Sequence, residues 1–158
     1  MTAPRPYFGI LMGGLVAGIL DIVYAFVLAG LRGSTPLRVL QSVASGALGS
    51  EAFKGGAATG ALGRALHLGI AVVAAAAYFV GATRSARVRR HYLLCGALFG
   101  VGVYLCMNFV VLPLSAVPFK ITYTVPVIVQ GFVSHAILVG LPIAWCLHRF
   151  AFHEPPAA

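Results

Sequence analysis

Charge is scarce in this chain, and acid is scarcer still. Of 158 residues, 9% are charged and three are aspartate or glutamate. A soluble domain carries roughly 25% charged residues, so this composition cannot cover a water-exposed surface. There is no carboxylate pair for general acid–base work, no nucleophile motif and no phosphate-binding glycine loop ahead of a helix. Glu51 and Lys54 stand three apart in a loop, the spacing of a solvated surface pair. No catalytic residue is assigned, and the expectation is that the protein is not an enzyme. Cysteine is also sparse. Cys95, Cys106 and Cys146 all fall inside apolar runs, and an odd number so placed gives no disulfide framework. They read as small buried hydrophobes. No metal site or cofactor is expected.

What the chain does have is hydrophobicity, at 60% of its residues. Four runs almost free of charge, 7–31, 65–82, 92–112 and 123–147, are each long enough to cross a hydrocarbon core about 30 Å thick at about 1.5 Å rise per residue. The expected fold is all-α: a membrane-embedded four-helix bundle occupying 1–158 as a single integral membrane domain. A cleaved signal peptide does not fit the first run. It is longer than the usual apolar region of about 7–15 residues, and Asp21 interrupts it.

The net charge of +8 is placed between the spans, which argues against nucleic acid and for the lipid bilayer as partner. "RSARVRR", residues 84–90, packs four arginines into one short loop. Dense Lys/Arg in a short loop marks the cytoplasmic side. With four spans both termini share that side, together with Arg5 and Arg149. Arg32, Arg38, Lys54, Arg64 and Lys120 take the other, and only the density of the 84–90 loop decides between the faces. Arg84, Arg87, Arg89 and Arg90 are candidates to bind anionic lipid headgroups. The expected location is a bacterial cytoplasmic (inner) membrane.

The connection 32–64 carries a short amphipathic helix. Thr35 suits its N-cap, Pro36 its first turn and Gly49 its stop. Leu37, Leu40, Ala44, Ala47 and Leu48 form one face, and Arg38, Gln41, Ser42 and Ser45 the other. The helix over about 36–49 is expected on the outer membrane surface or against the bundle. "KGGAATGALG" then leads into the second span, with a re-entrant loop as the alternative.

Polar side chains inside the spans are few: Asp21, His67, Asn108 and His135, with Tyr24 beside the aspartate. Gly14, Ala17 and Gly18 precede Asp21 on its own helix face, and small residues at this spacing admit a neighbouring helix. The aspartate therefore points into a helix interface. By depth, Asp21 and His135 lie about 13–15 Å from the outer ends of their runs, and His67 and Asn108 nearer that surface. Together they form one polar layer whose burial demands internal hydrogen bonds. His67 also suits a place at the water interface beside Arg64. Intramembrane acids mark proton or ion paths, whereas the bland reading is polar glue between helices.

Three stretches resemble the YagU-like family of bacterial inner-membrane proteins: "HLGIAVVAAAAYFVGA" from His67, "GALFGVGVYLCMNFVVLPLSAVP" from Gly96 and "GFVSHAILVGLPIAWCLHR" from Gly131. The resemblance covers roughly residues 67–149, with the histidines and Pro113 in corresponding places. Asp21 and the 36–49 helix lie outside it. It implies a multi-pass inner-membrane protein and no particular chemistry.

Three functions remain open on this reading. The first is a small ion- or proton-linked transporter or channel, oligomeric, with Asp21 and His135 titrating; histidine changes charge near neutral pH. The second is a membrane scaffold or assembly partner that uses "GILMG", "GGLVAG" and "GALFG", with Gly96 and Gly100, for helix contacts. The third is a bis-histidine haem or metal protein. The two histidines differ in depth by about a turn or more and have no second pair, which fits axial ligation poorly.

Overall fold

The computed structural model describes residues 5–120 and 122–152. The chain ends expected on the cytoplasmic face lie outside these. Four helices are long and apolar enough to cross a membrane: span one (Pro6–Gly30), span two (Gly56–Arg84), span three (Tyr92–Leu114) and span four (Val125–Ala151). A connecting helix, Pro36–Leu48, joins the first two. Among the described residues there is no strand. The protein is an all-α bundle of four long apolar helices.

Span one is the hub. It packs on span two along one side and on span four along the other; span three packs on span four. Glycines make this double contact. Gly9 and Gly13 face Leu147, Ile143 and Cys146 of span four, whereas Gly14 and Gly18 face Val72, Leu68 and Ala71 of span two. Gly96 and Gly100 bring span three against Ala144, Gly140 and the His135 carbonyl. Lipid tails are as apolar as leucine, so close packing and not water exclusion draws spanning helices together. A Cβ at Gly14 would stand 2.5 Å from the Val72 Cα, so the helix axes could not approach this closely with any larger residue.

Spans two and three scarcely meet. Their side-chain contacts run through Tyr78, whose hydroxyl donates to the Tyr92 carbonyl at 3.1 Å and whose ring meets Phe99 edge-on at 5.2 Å. A core of Ala17, Ala75, Tyr78, Ile143 and Leu147 fills the half of the bundle nearer residues 84–91. At that end the Arg5 N–H donates to the Phe150 carbonyl at 2.7 Å, tying the start of span one to the end of span four. At the opposite end the Ala116 N–H donates to the Gly46 carbonyl at 2.9 Å, so the connecting helix bridges spans two and three.

The span bounds need correcting. Span two begins at Gly56, not at 65, and 56–64 is ordinary helix with no re-entrant loop. The glycines there, and Arg64, lower the apparent hydrophobicity of a segment that packs on the connecting helix. Gly60 lies beneath Leu37, and Gly63 against the backbone of Leu40 and Ala44. The other spans differ from the apolar runs by at most four residues at their ends. The connecting helix is capped as its residues imply, Thr35 Oγ1 accepting from the Arg38 N–H at 3.2 Å, and its buried side draws on both of its faces. Gln41, Ala44 and Ser45 are its buried residues, while Leu37 and Leu48 are exposed. Gln41 Nε2 donates to the Gly56 carbonyl at 3.2 Å, and Ser45 Oγ to its own helix at Ser42. Small and satisfied polar groups allow the tight crossing, and leucines suit the lipid side.

Two features have a signal in the sequence that periodicity alone does not expose. Spans three and four each widen into a π-helical turn, over Met107–Val111 and His135–Gly140. Each turn ends two residues before a proline, Pro113 or Pro142. A mid-helix proline donates no N–H, and its ring clashes with the carbonyl four residues back, here Phe109 and Leu138. Widening the preceding turn relieves that clash, and such turns occur often at functional sites.

The 84–90 loop forms a short helix, Ala86–Arg90. Arg84, Arg87 and Arg90 are exposed, but Arg89 turns inward. Its Nη1 donates to the Ala82 carbonyl at 2.7 Å and the Thr83 carbonyl at 3.3 Å, closing the end of span two. Arg89 is thus a capping residue first, and three arginines remain turned outward for headgroups. Orientation is checked by labelling. A cysteine introduced at Ser85 should resist a membrane-impermeant thiol reagent in intact cells, and one at Ser50 should react; the reverse pattern would invert the topology.

Candidate functional site

Asp21 lies midway along span one, and two cavities meet at it. The larger, about 380 Å³, is bounded by all four spans and roofed by the connecting helix. Its walls are chiefly apolar, with Ile70 and Ala74 on one side and Val103, Met107 and Val111 on the other. The second, about 280 Å³, lies among spans one, three and four and is more polar, with Tyr24, Asn108, Gln130 and Ser134 in its lining. Asp21 and His135 line both and form the wall between them. Both cavities occupy the half of the bundle nearer the connecting helix. The closed core takes the other half.

The sequence places Asp21, His67, Asn108 and His135 in one hydrogen-bonded layer. The structure brings three of them together and rearranges the pairing. His67, expected near the water interface, is the ionisable group closest to the carboxylate, its Nε2 lying 3.8 Å from Asp21 Oδ2. The reason is the earlier start of span two. His67 lies eleven residues beyond Gly56, roughly 16 Å along the helix at 1.5 Å per residue. The Nε2–H does not reach the carboxylate; it donates to the Gly18 carbonyl at 2.9 Å. A carbonyl can only accept, so that nitrogen carries its proton in either charge state of the ring. Gly18 thus makes room for span two and also orients the imidazole.

His135 opens the π-turn of span four. Its Nδ1–H donates to the Gly131 carbonyl at 3.1 Å, which leaves Nε2 as the ring's open nitrogen. Both Asp21 and His67 lie within electrostatic reach of it. Asn108 stands apart. Its Nδ2 donates to the Tyr104 carbonyl at 2.9 Å, and the Tyr123 hydroxyl donates to the Asn108 carbonyl at 3.2 Å. It lines the second cavity, as Tyr24 does, and bonds to neither histidine.

Tyr104 is a site residue that the sequence pattern hides. It is 5% exposed, its hydroxyl is buried without a hydrogen-bond partner among the described residues, and it borders the second cavity. Its ring meets His135 edge-on at 5.1 Å. Gly131 is the signal that could have marked it, because a Cβ there would collide with the tyrosine ring.

The result for Asp21 is a carboxylate, its side chain 21% exposed, that accepts no hydrogen bond among the described residues. Ionised carboxylates away from bulk water are stabilised by donors or counter-charges. Here the cavities supply apolar walls, a histidine just beyond hydrogen-bond range and a second histidine in the partition itself. Such a group can take up a proton or hold a cation. No group of three or more His, Cys, Asp or Glu that could hold a metal ion occurs among the described residues.

These features define a multi-pass membrane bundle with a half-open intramembrane cavity and an acid–imidazole cluster at its floor. No family model, curated protein or solved structure matches the chain.

Proposed function

We propose that this chain is a small proton-linked transporter of a bacterial inner membrane, with Asp21 as the proton-exchanging group and His67 and His135 as its titrating neighbours. The observation that carries this reading is the carboxylate without a hydrogen-bond donor at the junction of two cavities. A structural aspartate in lipid finds donors; this one faces open volume. The arrangement also has the asymmetry that transport needs. Volume lies in the half nearer the connecting helix, and the opposite half is closed by Ile143, Leu147 and Tyr78. In this reading the closed half opens when the cavity half collapses, and the π-turns at Met107–Val111 and His135–Gly140 are where spans three and four bend.

The scaffold reading draws less support. The glycines of "GILMG", "GGLVAG" and "GALFG" that pack are already in contact within the chain, so those stripes do not mark a vacant face. The exposed leucines and valines along the spans suit lipid.

The test is proton movement. Purified protein reconstituted in liposomes with an entrapped pH dye should dissipate an imposed pH gradient faster than empty liposomes do. Absence of proton movement under any gradient, with sodium and potassium also tested, would remove the transport reading.

A further inference from the structure

The larger cavity has a chemical character that narrows what it takes. Among the described residues that line it Asp21 is the one acid, and none is a lysine or arginine. Arg32 lines only the second cavity, on the far side of the Asp21–His135 partition. His67 and His135 complete the ionisable lining, and neither is hydrogen-bonded to the carboxylate. Asp21 thus faces this cavity with no fixed cation against it among the described lining residues.

Its remaining walls are hydrocarbon. Ile70, Val103, Met107 and Val111 surround the space in front of the carboxylate. A volume of about 380 Å³ lies within the roughly 300–1,000 Å³ of pockets that bury small organic ligands. Methionine adapts its shape to varied apolar bodies. A hydrated inorganic ion gains nothing from such walls, and a neutral apolar molecule leaves the carboxylate without a partner. An organic anion would meet Asp21 as a like charge.

An approach route fits the same chemistry. Spans two and three scarcely touch above Tyr78, so the cavity's flank lies toward the lipid. Ile70 and Val111, which line the cavity, are also 39% and 37% exposed. A lipophilic solute partitioned into the bilayer meets this opening directly.

Resting on the reading of this cavity as the substrate site, we propose that its ligand is a small monovalent organic cation with an apolar body, its charge held at Asp21 and its body between Ile70 and Met107. Cation and proton then compete for one carboxylate, which couples their movements without further parts.

Binding is measured apart from transport. Radiolabelled benzyltrimethylammonium is equilibrated with wild-type protein in nanodiscs, with empty discs as baseline. Saturable binding should appear. Neopentylbenzene, its uncharged carbon isostere, and benzenesulfonate should fail to displace it. Asp21→Asn should weaken binding about 30-fold or more, the scale of losing one partner of a desolvated charge pair. Ile70→Trp, which fills the cavity from its exposed flank and leaves the carboxylate in place, should also abolish it. Equal affinity in wild type and Asp21→Asn, or equal displacement by neopentylbenzene, would overturn the proposal. So would the absence of saturable binding. Proton movement without cation binding sinks the ligand assignment alone. Cation binding without proton movement sinks the transporter and leaves the site.

Discussion

Gly140→Leu should destabilise the bundle more than any substitution in the cavity lining. Gly140 lies where span four crosses span three, and a Cβ there would run into the Gly96 carbonyl and the Gly100 N–H. Neither obstacle is a side chain that can rotate away. From Gly96 the opposing Cβ would meet Ala144 and the Gly140 carbonyl, so the crossing is tight from both sides. Overpacking a filled interior costs about 1–3 kcal/mol, occasionally more, and a backbone-on-backbone contact belongs at or above the top of that range. Gly102 sits two residues beyond Gly100 on the same helix, and nothing lies within 4 Å of a Cβ built there. Gly102→Leu should therefore stay within about 0.5 kcal/mol of wild type. Thermal unfolding of both variants in detergent tests the pair; comparable losses would mean that the span-three and span-four crossing is looser than this geometry.

That contrast also shows what could be read from residue order. Run length and charge placement are enough for four spans, because a bilayer imposes a minimum helix length and leaves no place for unsatisfied backbone. The small-residue face around Gly14, Ala17 and Gly18 follows from helical spacing. It does not follow that Gly13 and Gly14, adjacent in the chain, serve different neighbours, with Ile143 on one side and Val72 on the other. Hydropathy under-reads span two because glycine and Arg64 dilute its first turns, and the error carries into the depth of His67. The connecting helix buries residues of both its faces because amphipathicity has two solvents here: an inward glutamine with partners is cheaper than an inward leucine that holds two helices apart. The π-turns are legible in Leu112–Pro113 and Leu141–Pro142 once proline's effect on the preceding turn is considered. Tyr104 is not legible at all without knowing what lies opposite Gly131.

Asp21→Asn should abolish proton-linked flux while leaving the fold intact. The amide keeps the size of the side chain and its capacity to accept a hydrogen bond, and it loses the exchangeable proton. No described hydrogen bond ends on the carboxylate, so its replacement breaks none. The loss is limited to the electrostatic contact with His67 at 3.8 Å, which reads as about 1 kcal/mol or less for a partly exposed pair. His67 keeps its own anchor, because its bond to the Gly18 carbonyl does not involve Asp21. Flux should fall to the level of empty liposomes at every pH, since no other carboxylate among the described residues lines either cavity. His67→Gln should behave differently. The amide can still donate to Gly18, Asp21 still exchanges its proton, and flux should persist. The measurements are dye-reported proton flux across a series of external pH values and unfolding in the same detergent. If Asp21→Asn unfolds the protein as severely as Gly140→Leu, the carboxylate holds helices together through contacts stronger than this geometry contains. If the variant folds and its flux equals wild type, proton exchange belongs to the histidines and not to Asp21.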